Sequence, residues 1–294
     1  MQTIEKILNE FLLEQKIRGN SKNTIKYYQR FVGYFIKYAG NKNINEITIK
    51  DVKEYYVYNA DKEISSETIK TYMRAVRVFL SWCYNEEYIK VNILEKYKLP
   101  KASKKVKNIL TENEIELLFS SFNQNDFIQY RNYCICLLML DSGLRMNEVT
   151  TLKISNSHIN ENYIIVDGKG NKQRAVPLGI NTKNALLKYI SIRNPVNHDN
   201  LFLDIHNKSI NNYTIKNMIR KLKIKTGIKR IHAHLLRHTF ATKYLENGGD
   251  IYTLQSILGH TSLEMVKKYI HTTPKKIVVN FSSFSPVDNL NKSP

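Results

Sequence analysis

Most of this chain spaces its apolar residues at the helical interval, and one stretch breaks that rhythm. Residues 154–178 alternate apolar with polar side chains and are interrupted at Asp167-Gly168 and Gly170-Asn171, which is turn chemistry between short strands. A chain with one period-two segment among long period-3.6 segments can build little sheet. The expectation is a mainly α protein with a small antiparallel β-sheet of two or three strands.

Residues 1–95 read as a helical unit. In the first helix Ile4, Ile7, Leu8, Phe11 and Leu12 form one stripe. Ser21 precedes a second helix that Gly40 stops, a third starts near Thr48, and a fourth near Ser65 or Ser66. The triplet Thr-Ile-Lys recurs at 24, 48, 68 and 214, too unevenly for a structural repeat, and marks helix starts instead. Residues 96–110 read as a basic interdomain linker. Lys96, Lys98, Lys101, Lys104, Lys105 and Lys107 stand there with Pro100 and no acid between 96 and 107. A solvated loop is the plain reading, but the charge of the whole chain favours a segment crossing a phosphate backbone, with Lys101, Lys104 and Lys105 as contacts.

The second unit is expected over 111–285, followed by a tail at 286–294. Thr111 and Glu114 form a capping box. An apolar helix over 132–140 leads to a turn at Ser142-Gly143. Beyond the sheet, helices resume near Asn181 and Ser209. After Gly227 three more follow, at 234–247, 250–258 and 262–271, punctuated by Gly248-Gly249 and Gly259.

The 294 residues carry a formal net charge of +19, which predicts attraction to a polyanion. A membrane surface is the competing polyanion, yet the longest apolar run is 133–140, too short to span one. The N-terminus lacks a signal-peptide core. Three cysteines with no framework spacing point to a reducing cytosol. Cys134 and Cys136 face different sides of a helix, which favours core packing over metal or redox chemistry. The abundance of Lys, Asn and Ile fits an AT-rich source genome, so the 19 tyrosines are mostly composition.

Several separated residues suit the handling of a phosphate. His234 and Arg237 are i, i+3 neighbours able to face one anion. His234 and His238 share a helix face at metal-ligand spacing. However, Leu235 stands where a zinc-protease helix has Glu, there is no acid between 233 and 239, and Arg237 repels a cation. His238 lies mainly on another side from the anion and reads as structural. Arg145 follows a Gly turn that suits presentation at a pocket mouth, although Glu148 three residues on offers an ordinary salt bridge. Lys169 lies between Gly168 and Gly170 in the hairpin turn, where exposed lysines are common; Lys172 and Arg174 are nearby alternatives. His260 after Gly259 reads equally as a helix cap. Tyr269, nine residues further, reads equally as a core residue, with Tyr244, Tyr252 and His271 as rivals.

The stretches SGLRMNEV, VDGKGNKQRAVPL, HLLRHTFAT and LGH, with the tyrosine nine residues beyond that histidine, resemble the tyrosine recombinase family, the phage-integrase and Xer-like group. The resemblance covers nearly the whole chain and is closest to the two-domain members, with no arm-binding domain before the first helix. It implies a helical core-binding domain that clamps DNA, followed by a catalytic domain. By the match the catalytic set is Arg145, Lys169, His234, Arg237, His260 and Tyr269. One departure is Asp141-Ser142 before Gly143, where small residues are more usual. The implied activity is site-specific strand exchange through a 3′-phosphotyrosine and a Holliday junction, without cofactor or metal. The implied partners are double-stranded DNA with paired inverted half-sites, a homo-tetramer on that DNA, and accessory DNA-bending factors, with no membrane. A cytoplasmic, nucleoid-associated protein of bacterial or phage origin is expected. Two other readings stand beside it: a type IB-like topoisomerase, which shares the phosphotyrosine, and a catalytically silent DNA-binding protein, for which the complete set of six has no use.

Overall fold

The computed structural model describes residues 3–40, 42–95, 108–168, 173–193, 198–267 and 269. The linker lysines Lys101, Lys104 and Lys105, and also Lys169 and Lys172, lie outside the described residues. The chain divides into two compact units, Met1–Val106 and Lys107–Pro294.

The first unit contains helices α1 (Ile4–Ile17), α2 (Lys22–Ala39), α3 (Ile49–Ala60) and α4 (Ser66–Asn85). Their starts follow from side-chain caps. Ser21, Thr48 and Ser65 each accept a hydrogen bond from the backbone N–H three residues on, satisfying a donor the helix itself leaves open. Thr-Ile-Lys falls in the first turn, or at the cap, of α2, α3 and α4. The predicted stripe Ile4, Ile7, Leu8, Phe11 and Leu12 is buried, and Phe11 packs edge-on to Phe79 at 5.5 Å.

The second unit is built around α6 (Phe127–Leu140), in which every residue from Cys134 to Met139 is buried. A helix apolar all round has to be covered on all sides, and α8 (Ile180–Ile192) and α10 (Ala233–Glu246) pack on it. Cys134 and Cys136 are both core residues, and burial pushes each thiol up to about 12, leaving them protonated and inert. The helix starts five residues before the predicted 132. Its first turns carry Gln129 and Arg131, which hide the apolar pattern; Arg131 is buried and donates to Leu203 O at 2.8 Å.

The remaining helices of the unit are α5 (Glu112–Ser120), α7 (Met146–Thr151), α9 (Asn212–Thr226), α11 (Ile251–Leu258) and α12 (Glu264–Lys267). Thr111 and Glu114 form the expected capping box. Helix α9 starts later than Ser209, because Ser209 bridges to Leu203 before Asn211 caps the helix. Strands β1 (Ser157–His158), β2 (Tyr163–Asp167) and β3 (Gln173–Pro177) form one antiparallel sheet in the order β1-β2-β3, with Val166 opposite Arg174. Among the described residues no helix is long and apolar enough to cross a membrane.

Asp141, out of place in the family pattern, has a structural task. Its Oδ2 accepts from the buried Thr182 hydroxyl at 2.5 Å and from Gly179 N–H at 3.3 Å, tying the end of α6 to the start of α8. Asp141→Ala deprives a fully buried hydroxyl of this acceptor, which costs roughly 1–3 kcal/mol. Urea unfolding of the full chain should show a lower midpoint for Asp141→Ala and a smaller change for Asp141→Asn. Equal midpoints for wild type and Asp141→Ala would count against the tie.

Candidate active site

Two helix ends and one strand deliver the charged residues. After α6 the chain turns at Gly143, whose φ of 65° is left-handed and whose Cβ would stand 2.4 Å from Phe240 Cδ1. Only glycine meets both demands. Arg145 then caps α7 in extended conformation. At the end of α11, Gly259 is again left-handed, and His260 N–H reaches back to Gln255 O at 3.1 Å. In β3, Arg174 shares the inward face with Val176.

These elements converge on Glu148, a side chain 4% exposed. Arg174 grips it with both terminal nitrogens, at 2.9 and 3.0 Å, and gives its Nε–H to Ile257 O at 2.7 Å. Arg145 donates from its backbone at 2.8 Å and from its side chain at 2.9 Å. Arg237 Nη1 lies 3.9 Å from the same carboxylate. Burial by itself raises the Glu148 carboxyl, but the bonds from Arg174 and Arg145 outweigh it and hold the group below its ordinary range.

Arg237, on α10, is 5% exposed at its side chain. It donates to Gly143 O and Leu258 O, each at 2.6 Å, and its Nη2 lies 3.2 Å from His260 Nε2. Burial, and then the nearby charge of Arg145, push its guanidinium down to about 10, still cationic at neutral pH. Among the described residues three guanidiniums share this one carboxylate, an excess of positive charge that an anion relieves.

Tyr269 is buried at the edge of this cluster. Its ring lies nearly parallel to that of His260, with centroids 6.4 Å apart, and 5.0 Å from that of His238. The structure therefore brings together Arg145, Arg237, His260 and Tyr269. His234 occupies the first turn of α10, solvent-exposed and one turn before Arg237. Lys169 falls outside the described residues. Among the rivals, Tyr252 is 64% exposed on α11, and Tyr244 packs on Phe240 instead.

Two readings change, those of His238 and Arg174, and that of Arg145 is kept. His238 does not lie away from the site, because its ring meets Tyr269. The Arg145–Glu148 bridge exists, yet it leaves Arg145 in the site because Glu148 is shared. Arg174, considered in the sequence only as an alternative to Lys169, has all its donor nitrogens committed to structural bonds. Its place at the site was foreshadowed by its phase in β3, two residues before the buried Val176.

A buried cationic cluster thus stands beside a tyrosine, on a helical scaffold with a three-stranded sheet. Residues 108–276 match the phage integrase family, and residues 7–90 match the N-terminal SAM-like domain of phage integrases. The chain belongs to the phage integrase family. It is 28% identical to tyrosine recombinase XerD of Halalkalibacterium halodurans, over 97% of this chain and 99% of that one. To tyrosine recombinase XerD of Staphylococcus aureus strain Mu50 it is 29% identical, over 96% and 99%. Among solved structures it is similar to XerA recombinase, at 30% identity and a TM-score of 0.53 over 96% of this chain and 99% of that one. The Tn1549 transposon integrase, solved with a circular intermediate DNA, shares the fold at 20% identity and a TM-score of 0.80, over 97% and 100%.

Because the folded-state carboxyl of Glu148 is depressed, its contribution to stability is present above the unfolded value of about 4.3 and is lost as pH falls through the lower folded value. Acid unfolding below about pH 4 should be less steep in Glu148→Gln than in wild type. Glu148→Ala, which strands buried guanidiniums, should lose about 3–5 kcal/mol in urea unfolding at pH 7. A loss under 1 kcal/mol would show that the carboxylate does not hold the cluster.

Proposed function

We propose that this site-specific recombinase works through Tyr269 as nucleophile on a scissile DNA phosphate. The single observation that supports this best is the convergence of Arg145, Arg237, His260 and Tyr269, from elements far apart in the chain, around a surplus of positive charge. Guanidiniums fit the non-bridging oxygens of a phosphate, and their attraction strengthens where water is excluded. The phenol attacks phosphorus, a 3′-phosphotyrosine forms, and the 5′-oxygen leaves with a proton from Lys169. A 5′-hydroxyl of the partner strand reverses the step, and two rounds exchange strands through a Holliday junction. The phosphotyrosine conserves the ester bond energy, so no nucleotide cofactor is consumed.

Arg145 and Arg237 stabilise charge in the pentacoordinate transition state, and His260, held beside Arg237, hydrogen-bonds the phosphate. His234 manages the tyrosine proton. The DNA carries paired inverted half-sites bound by a homo-tetramer, with Lys101, Lys104 and Lys105 on its backbone and accessory bending factors assisting. The segment 277–284, outside the described residues, docks on a neighbouring protomer.

The test uses a nicked duplex bearing the sequence that the protein itself selects from random DNA. Wild type should be trapped covalently on it, and Tyr269→Phe should bind equally and give no adduct. Mass spectrometry placing the adduct on Tyr252 or Tyr244 would overturn the assignment.

A second substrate addresses the acid. Lys169→Ala should cleave the ordinary duplex very slowly. Sulfur in place of the bridging 5′-oxygen should restore much of the rate, since a thiol ionises near ~8.5 and leaves without a proton. Arg237→Ala should gain nothing from sulfur. If the sulfur duplex rescues Lys172→Ala and leaves Lys169→Ala slow, the acid is Lys172.

A further inference from the structure

Arg174 is outside the set to which a chemical role has been given, yet it makes three side-chain hydrogen bonds within the site. Its side chain is 12% exposed and bridges three elements: β3 that carries it, Glu148 on α7, and the last turn of α11 at Ile257 O. Gly259 is shaped around it, since a Cβ there would stand 3.0 Å from Arg174 Cδ in addition to its left-handed φ of 60°.

The charges show what this arrangement is for. A buried carboxylate takes whatever cation is near, and in this site the near cations are those proposed to hold phosphate. Arg145 Nη1 already lies 2.9 Å from Glu148 Oε1, and Arg237 Nη1 lies 3.9 Å from Oε2. By occupying both oxygens, Arg174 spreads the negative charge over a third guanidinium and weakens the hold of Glu148 on the other two. Its third bond, to Ile257 O, lies next to the Leu258 carbonyl that Arg237 holds, so the two arginines together fix the turn that presents His260.

We propose that Arg174 is a positioning residue of the cleavage reaction: it neutralises Glu148 so that Arg145 and Arg237 remain available to the scissile phosphate, and it anchors the α11 turn that carries His260. This rests on the reading of Arg145 and Arg237 as phosphate-holding groups. A purely structural role predicts that further loss of contacts in the cluster makes matters worse. The charge-balancing role predicts the opposite, since removing the charge of Glu148 should relieve the loss of Arg174.

Single-turnover covalent capture on the selected nicked duplex distinguishes the two. Arg174→Gln should slow capture about 100-fold, the size expected when catalytic groups shift by about an ångström, while the Kd for the duplex changes less than about threefold. Arg174→Lys keeps the charge but cannot reach both carboxylate oxygens and Ile257 O together, and should fall between the two. Arg174→Gln/Glu148→Gln should capture about tenfold faster than Arg174→Gln, a coupling within the range seen for residues in contact. A double variant no faster than Arg174→Gln overturns the proposal, as does wild-type capture by Arg174→Gln. If Arg174→Gln fails to fold by its thermal transition, Arg174→Lys decides, and wild-type capture by it overturns the proposal. Arg145→Ala and Arg237→Ala run alongside. If both still cleave, the reading of the site itself fails; if both are inactive while Arg174→Gln is normal, only the role of Arg174 fails.

Discussion

One buried carboxylate organises the second half of this molecule. Removing Glu148 from water is costly unless each of its oxygens is paired. Arg145 answers from the residue that caps the same helix, Arg174 from a strand, and Arg237 from a helix that begins eighty-five residues further along the chain. The bonds that settle this ion therefore draw α7, β3 and α10 to one point. The paired strands β2 and β3 give Ile164, Val166 and Val176 to the core, and β3 carries the guanidinium that takes both carboxylate oxygens.

The ends of α6 and α11 complete the arrangement. A helix leaves its last carbonyls without partners inside the helix, and these carry the negative end of its dipole. Here Ile257 O and Leu258 O accept from Arg174 and Arg237, and Gly143 O, just past α6, accepts from Arg237. The same bonds that satisfy the helix ends orient the guanidiniums. Glycines at 143 and 259 are needed because both turns are left-handed and both are crowded, the first by Phe240 and the second by Arg174 itself. Helix termini thus hold the cationic cluster in place.

Much of the first unit was legible before any coordinates, because its signals are local. Ser21, Thr48 and Ser65 mark helix starts by side-chain oxygens that reach their own backbone, and the Ile4-to-Leu12 stripe needs only periodicity. In the second unit the Thr111–Glu114 box, the Gly143 turn and the period-two segment are of the same kind. The start of α6 was hidden, because its first turns mix polar residues into the pattern and Arg131 is buried through a distant carbonyl, Leu203 O.

What the sequence determined by itself was the element order, the cationic character, and which residue types stand at helix ends and turns. Periodicity, capping and charge act over a few residues, so they can be read from a few residues. Only the tertiary structure decided that Glu148 serves three arginines, that Arg174 belongs to the cluster, that His238 meets Tyr269, and that Asp141 fastens α6 to α8. Each of these joins side chains far apart in the chain or turned toward a neighbour that sequence does not reveal. Packing around α6 makes them neighbours, and the cost of leaving a buried polar group unpaired turns that proximity into a bond.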